Sequence, residues 1–204
     1  DYATALLKGS SLTPEERAAL VARLAAFTGL TTDYIDRTDL RIHDHRFTKE
    51  LLRSERQTVG RIDSRFKGVD RDSAGEHYEG DPSMANIMGP YTAVFYDYIR
   101  GALNYESDLP YEILNEKVWP WRYDDHENRY LNVAETLRKA ITTNPHLKVY
   151  VANGYYDLAT PFLATEYTFN HLGLDENLRK NISMSYLPAG HMMYVQIPSL
   201  ARLH

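Results

Sequence analysis

The chain has 204 residues, a net charge of −5 and no cysteine. That length suits one domain or a large piece of one. The acidic balance argues against a nucleic-acid partner and lends nothing to an anionic membrane surface, and the missing thiols exclude a disulfide framework and a thiolate zinc site.

Hydrophobic residues make up 43% of the chain, so a packed core is expected. No apolar run approaches the roughly 18 residues of a membrane-spanning helix. The chain opens on Asp1 rather than methionine, which reads as a processed form or a fragment and leaves room for a removed leader.

The first predicted element is a helix over residues 13–29. Thr13 suits the N-cap, Pro14 the first helical position and Glu16 the capping box. Leu20, Val21, Leu24 and Phe27 form its apolar stripe, and Gly29 ends it. A short helical turn is expected over Thr32–Arg37. A second helix is expected over Arg46–Arg56, with Asp44 as its cap and Phe47, Leu51 and Leu52 inward.

Gln57–Phe66 has room for a short strand. Residues 67–90 mix glycine, proline and charge and read as a long loop. A third helix is expected over Tyr91–Leu103, with Val94, Phe95, Tyr98 and Ile99 as its apolar residues. Leu109–Asn128 is irregular and aromatic, around Trp119-Pro120-Trp121. Asn132 then caps a helix through Thr142, with Val133, Leu137 and Ile141 inward, and Asn144-Pro145 stops it.

Two apolar runs follow, Leu147–Ala152 and Ile182–Leu187, with a helical segment between them. Both read as strands, and the first looks buried on both faces. The expected fold class is therefore α/β over residues 131–204, preceded by a mainly helical segment with long loops over 1–130. The last residues, PSLARLH, read as the first turn of another helix, and both ends of the chain read as lying inside structure.

Each strand runs into a glycine-containing turn that delivers one side chain capable of catalysis, Asp157 and His191. A carboxylate past one strand can hydrogen-bond the imidazole past the next, which is the tail of a triad in the order Ser…Asp…His. Asp157 also reads as a cap for a helix starting at Thr160-Pro161, and His191 as a partly buried structural histidine. The two turns together form a more specific pattern than either residue alone. The serine is missing: no Gly-x-Ser-x-Gly occurs, and Ser64, Ser83 and Ser107 lack the context of a nucleophile elbow.

NGYYDLATPF and PAGHMMY resemble the aspartate and histidine motifs of the serine carboxypeptidase family, in its cysteine-poor bacterial branch. The likeness extends upstream through YLNVAETLRKA and TVGRIDSRF. It implies the C-terminal part of an α/β-hydrolase fold with a helical insertion, or lid. It further implies release of C-terminal residues from peptides through an acyl-enzyme, with no cofactor and no metal. Asp157 would orient the base, His191 would be the base, and Met192 would line the pocket for the departing residue. The nucleophile, oxyanion hole and carboxylate-gripping residues of that family belong to an N-terminal half that these residues do not include.

The expected partners are a peptide C-terminus and that N-terminal half, with self-association of the fragment and no nucleic acid or membrane. The resemblance also implies a periplasmic or secreted protein. The alternatives are an esterase or acyltransferase of the same fold, and a non-catalytic peptide-binding domain with a relict Asp/His pair. His43-Asp44-His45 and Asp124-Asp125-His126 read as solvated surface rather than metal ligands. Asn181-Ile182-Ser183 matches a glycosylation pattern that is common by chance. Trp119 and Trp121 read as packing between lid and body, or as walls of a peptide cleft.

Overall fold

The computed structural model describes residues 2–204, which divide into two compact units, one ending at Ser83 and the other running from Met84 to His204.

The first unit begins with α1 (Tyr2–Lys8), α2 (Pro14–Thr28), α3 (Thr32–Arg37) and α4 (Asp44–Glu50). The capping box at α2 is present in full, because the Thr13 hydroxyl accepts from Glu16 N–H and the Glu16 carboxylate accepts from Thr13 N–H. Gly29 closes α2 at φ +75°, a conformation that suits residues without Cβ. Leu20 and Val21 pack with Leu30, Ile35 and Leu40 as the core of this unit. Phe27, expected in the same stripe, is 81% exposed.

Helix α4 departs from the sequence reading at both ends. Asp44 is its first residue rather than its cap, since its carboxylate is engaged by Arg61 Nε at 2.5 Å and His43 Nδ1 at 2.7 Å. The helix stops at Glu50, and a single 3-10 turn, Arg53–Glu55, ends on Arg56 at φ +57°. The strand expected in 57–66 is short, β1 (Thr58–Val59), and pairs antiparallel with β2 (Lys67–Gly68).

The segment after β2 is tied down by charge. Lys49, 1% exposed, bonds the Asp70 carboxylate and the Asp72 carbonyl, and Arg53 reaches the carbonyls of Ser73 and Gly75. The expected loop is shorter than its composition suggests, because α5 (Pro82–Asp97) already begins at Pro82. Asp81 precedes it and accepts from Ser83 N–H at 2.9 Å, with proline in the first helical position.

In the second unit α5 carries Pro90 inside it and passes into a π-helical turn, Tyr98–Ala102. Val94 and Tyr98, two of its apolar residues, are exposed. The stretch to residue 131 holds only short 3-10 turns, and Trp119 and Trp121 meet edge to face with both rings exposed. Helix α6 (Ala134–Thr143) follows, with the Asn132 side chain accepting from Ala134 N–H at 2.9 Å. Ile141 is fully buried and Leu137 partly so, whereas Val133 is exposed.

The rest is a parallel crossover: β3 (Val149–Gly154), α7 (Phe162–Asn170), α8 (Glu176–Arg179) and β4 (Ile182–Leu187), then α9 (Ile197–Leu203). Strands β3 and β4 pair in parallel from Val149↔Ile182 to Gly154↔Leu187. One face of this ribbon is covered: Val149 and Ile182 pack against Ile141, Leu172 and Leu174. The other carries Tyr150, 54% exposed, with its hydroxyl 2.6 Å from Ser185 Oγ. The expectation of burial on both faces therefore fails at Tyr150, although Gly154 and Leu187 farther along the same face are buried. Each sheet has two strands, so a full α/β-hydrolase sheet is not evident; the parallel unit is the part of an α/β pattern that is present.

Candidate active site

The site grows from the C-terminal ends of β3 and β4. Parallel pairing places both turns at the same end of the ribbon, where crevices of open α/β sheets bind ligands. The backbone ladder continues past the strands, with Tyr155 N–H donating to the Leu187 carbonyl and Tyr156 N–H to the Ala189 carbonyl, both at 3.0 Å. Leu187 and Ala189 are fully buried, and the buried Asn153 amide donates to the Ser185 carbonyl.

Gly154 is the position that lets the turns meet. A Cβ there would sit 2.3 Å from the Gly190 carbonyl oxygen and 2.5 Å from that of Ala189. Both obstacles are backbone, so no side-chain movement would relieve the overlap. The absent side chain is what brings the 188–191 turn against the end of β3.

Asp157 lies in the first turn at 6% exposure, and its two carboxylate oxygens divide the work. Oδ1 accepts from the backbone N–H groups of Ala159 and Thr160, each at 2.9 Å. Oδ2 accepts from the Thr160 hydroxyl at 2.5 Å and from His191 Nδ1 at 2.8 Å. The cap-like and imidazole-orienting readings of Asp157 thus describe different oxygens of one group. Burial pushes this carboxyl up, but the Thr160 hydroxyl and N–H and the His191 ring together hold it below the usual carboxylate range.

His191 lies in the second turn with its side chain about half exposed. With Nδ1–H committed to a carboxylate, Nε2 carries a lone pair. Nε2 has no hydrogen-bond partner among the described residues. The arrangement can therefore accept a proton at Nε2 and stabilise the resulting imidazolium through Asp157.

Met192, the next residue, is half-buried and leads into a 3-10 turn, Met193–Val195. No serine hydroxyl contacts His191 among the described residues. Ser83 is fully buried and bonded to Asp81, and Ser107 Oγ accepts from Leu109 N–H at 3.2 Å.

Thr160 is the residue the sequence reading missed. Its hydroxyl touches both Asp157 Oδ2 and His191 Nδ1, the latter at 3.1 Å. The available signal was its spacing: a hydroxyl three residues past a turn aspartate can reach back to the carboxylate. Beside the site Tyr155, Phe162 and Tyr186 form an aromatic cluster with centroids 5.6–5.9 Å apart. The Tyr186 hydroxyl donates to Glu166, which pushes the phenol up from its ordinary range.

The remaining candidates sit elsewhere. His43 and His45 stack on each other, His45 lies near the Tyr78 ring, and no group of three His, Cys, Asp or Glu with metal-binding geometry occurs among the described residues. Asp124–His126 forms a 3-10 turn. Asn181 is buried with its amide N–H on the Pro145 carbonyl at 2.6 Å, so its nitrogen is not presented for glycosylation. No family model, no curated protein and no solved structure matches the chain.

Proposed function

We propose that the chain supplies the aspartate and histidine of a serine hydrolase of the carboxypeptidase type, within an α/β-hydrolase fold whose serine comes from outside these 204 residues. The observation that carries this reading is the Asp157 Oδ2–His191 Nδ1 contact at 2.8 Å, formed by two turns at one end of a parallel ribbon and leaving Nε2 unpartnered. In the reaction, Nε2 takes the proton of the serine hydroxyl as oxygen attacks the peptide carbonyl. It returns that proton to the leaving amine, and water then releases the acyl group by the same route. Asp157 holds the ring and stabilises the imidazolium. On this reading Met192 borders the site of the departing residue, and the substrate is a peptide C-terminus in a periplasmic or secreted setting.

The test has two arms. The isolated chain should neither hydrolyse blocked dipeptides nor take up a serine-directed fluorophosphonate, because a base without a nucleophile forms no acyl-enzyme. Joined to a segment bearing Gly-x-Ser-x-Gly, the same sequence should become active, and His191→Ala should then silence it. Stoichiometric labelling of a serine in the isolated chain, or an active H191A protein, would sink the reading.

A further inference from the structure

The Asp157 carboxylate is fixed on one side only by backbone. Ala159 and Thr160 N–H groups anchor Oδ1, which leaves Oδ2 free to swing about that anchor unless something pins it. Two groups do so, the His191 ring and the Thr160 hydroxyl. The ring is itself half exposed and sits in a turn, so it is a weak anchor for the oxygen that is meant to orient it. Thr160 is exposed as well, but its backbone is tied to the same carboxylate. Its N–H is bonded to Asp157, its carbon skeleton leads directly into Pro161 and α7, and β-branching limits χ1.

A hydroxyl has one proton and two lone pairs. The Thr160 proton goes to Asp157 Oδ2 at 2.5 Å, which turns a lone pair toward His191 Nδ1 at 3.1 Å. The imidazole N–H therefore meets two acceptors, Oδ2 at 2.8 Å and Oγ1 at 3.1 Å, in a three-centre bond. We propose that Thr160 is a positioning residue of the Asp157–His191 pair: its hydroxyl pins Oδ2 and shares the Nδ1–H, holding the ring in the Nδ1–H tautomer with Nε2 directed outward. The inference rests on the reading of this pair as carboxylate and base. It assigns Thr160 no contact with substrate.

The chain itself serves for the test, with no nucleophile needed. Nitrogen-15 NMR of the His191 ring at about pH 8, above the ordinary imidazole range, follows the exchange of Nδ1–H with water in wild type, Thr160→Val, Thr160→Ser and Asp157→Asn. Wild type and T160S should show one protected Nδ1–H tautomer. T160V should exchange about tenfold faster or more, the loss expected for one charge-assisted hydrogen bond. Rescue by serine separates the hydroxyl from the methyl group and from packing. If T160V does not fold by its amide spectrum, Thr160→Ala removes the same hydroxyl with less bulk and carries the comparison. A T160V or T160A ring within twofold of wild type, while D157N is strongly altered, would overturn the Thr160 role and leave the pair standing. If D157N is also silent, the pair itself is not formed and the underlying reading falls with it.

Discussion

Two buried carboxylates, Asp70 in one unit and Asp157 in the other, are held in nearly the same way but face different partners. Asp70 accepts from Lys49, from the Thr58 hydroxyl at 2.8 Å and from Glu79 N–H at 3.3 Å. Asp157 accepts from His191, from the Thr160 hydroxyl and from two backbone N–H groups. In both, burial pushes the carboxyl up and the hydrogen bonds more than reverse it. The difference lies in the cation-forming partner. Lys49 is 1% exposed, and its ammonium is spent on Asp70 and the Asp72 carbonyl, which joins α4 to the segment after β2. His191 is half exposed and keeps a second ring nitrogen with no hydrogen-bond partner among the described residues. A buried, well-bonded carboxylate marks a site only where its partner keeps a reactive face.

The largest expected effect tests that distinction on the Asp157 side. In an active protein containing this chain, Asp157→Asn should lower kcat by about 10⁴-fold, since an amide favours the wrong imidazole tautomer. The fold should survive, because the asparagine oxygen can still accept from Ala159 and Thr160 N–H. A kcat within tenfold of wild type would reduce Asp157 to a turn residue.

On the Asp70 side the loss should be of stability instead. Lys49→Met leaves Asp70 buried without its cation, a change that costs about 3–5 kcal/mol. Urea denaturation should show it as a lower midpoint. Replacing both partners together, K49M with D70L, should recover much of the loss, because no uncompensated charge remains. A K49M loss below about 1 kcal/mol would show that the pair contributes little beyond packing.

The sequence exposed the two regions unequally, for physical reasons. The turns at Asp157 and His191 were legible because both follow short apolar strands and carry glycine near the turn. The capping box at Thr13 was legible because its signal lies within four residues. The Lys49–Asp70 pair was not, since no local pattern links residues that far apart. Thr160 was hidden because its role appears only when two turns close on each other. Phe27 shares the periodicity of the α2 stripe, yet periodicity cannot say whether a partner surface exists to cover it. The first turns of α5 lie within residues 67–90, where glycines, prolines and charges read as loop.

Acid brings the two carboxylates back together. Each has a folded pKa below its unfolded value, so the unfolded chain binds more protons in the range between them. Stability from both is therefore complete above the ordinary aspartate value of about 3.9, and is lost as pH falls through the lowered folded values. Melting temperature should hold level from these groups near neutrality and drop below about pH 4. D157N should make that drop shallower. An equally steep drop in D157N would remove Asp157 from the set of acid-sensitive groups.

The smallest effect compares the two threonines. Thr58→Val deletes one of three partners on Asp70, and Lys49 still neutralises the charge. The cost should be about 1 kcal/mol, that of one hydrogen bond to a buried group, and it should show only in the denaturation midpoint. His191 belongs to the other network, so its ring exchange should be unchanged in T58V. Thr160→Val removes a hydroxyl from a matching position on Asp157, with a similar expected effect on stability. Yet it should also free the His191 ring, because there the carboxylate holds an imidazole that shares the Thr160 hydroxyl. If T58V and T160V prove indistinguishable by ring exchange as well as by stability, the two hydroxyls do the same structural work, and the contrast between the units rests on Lys49 and His191 alone.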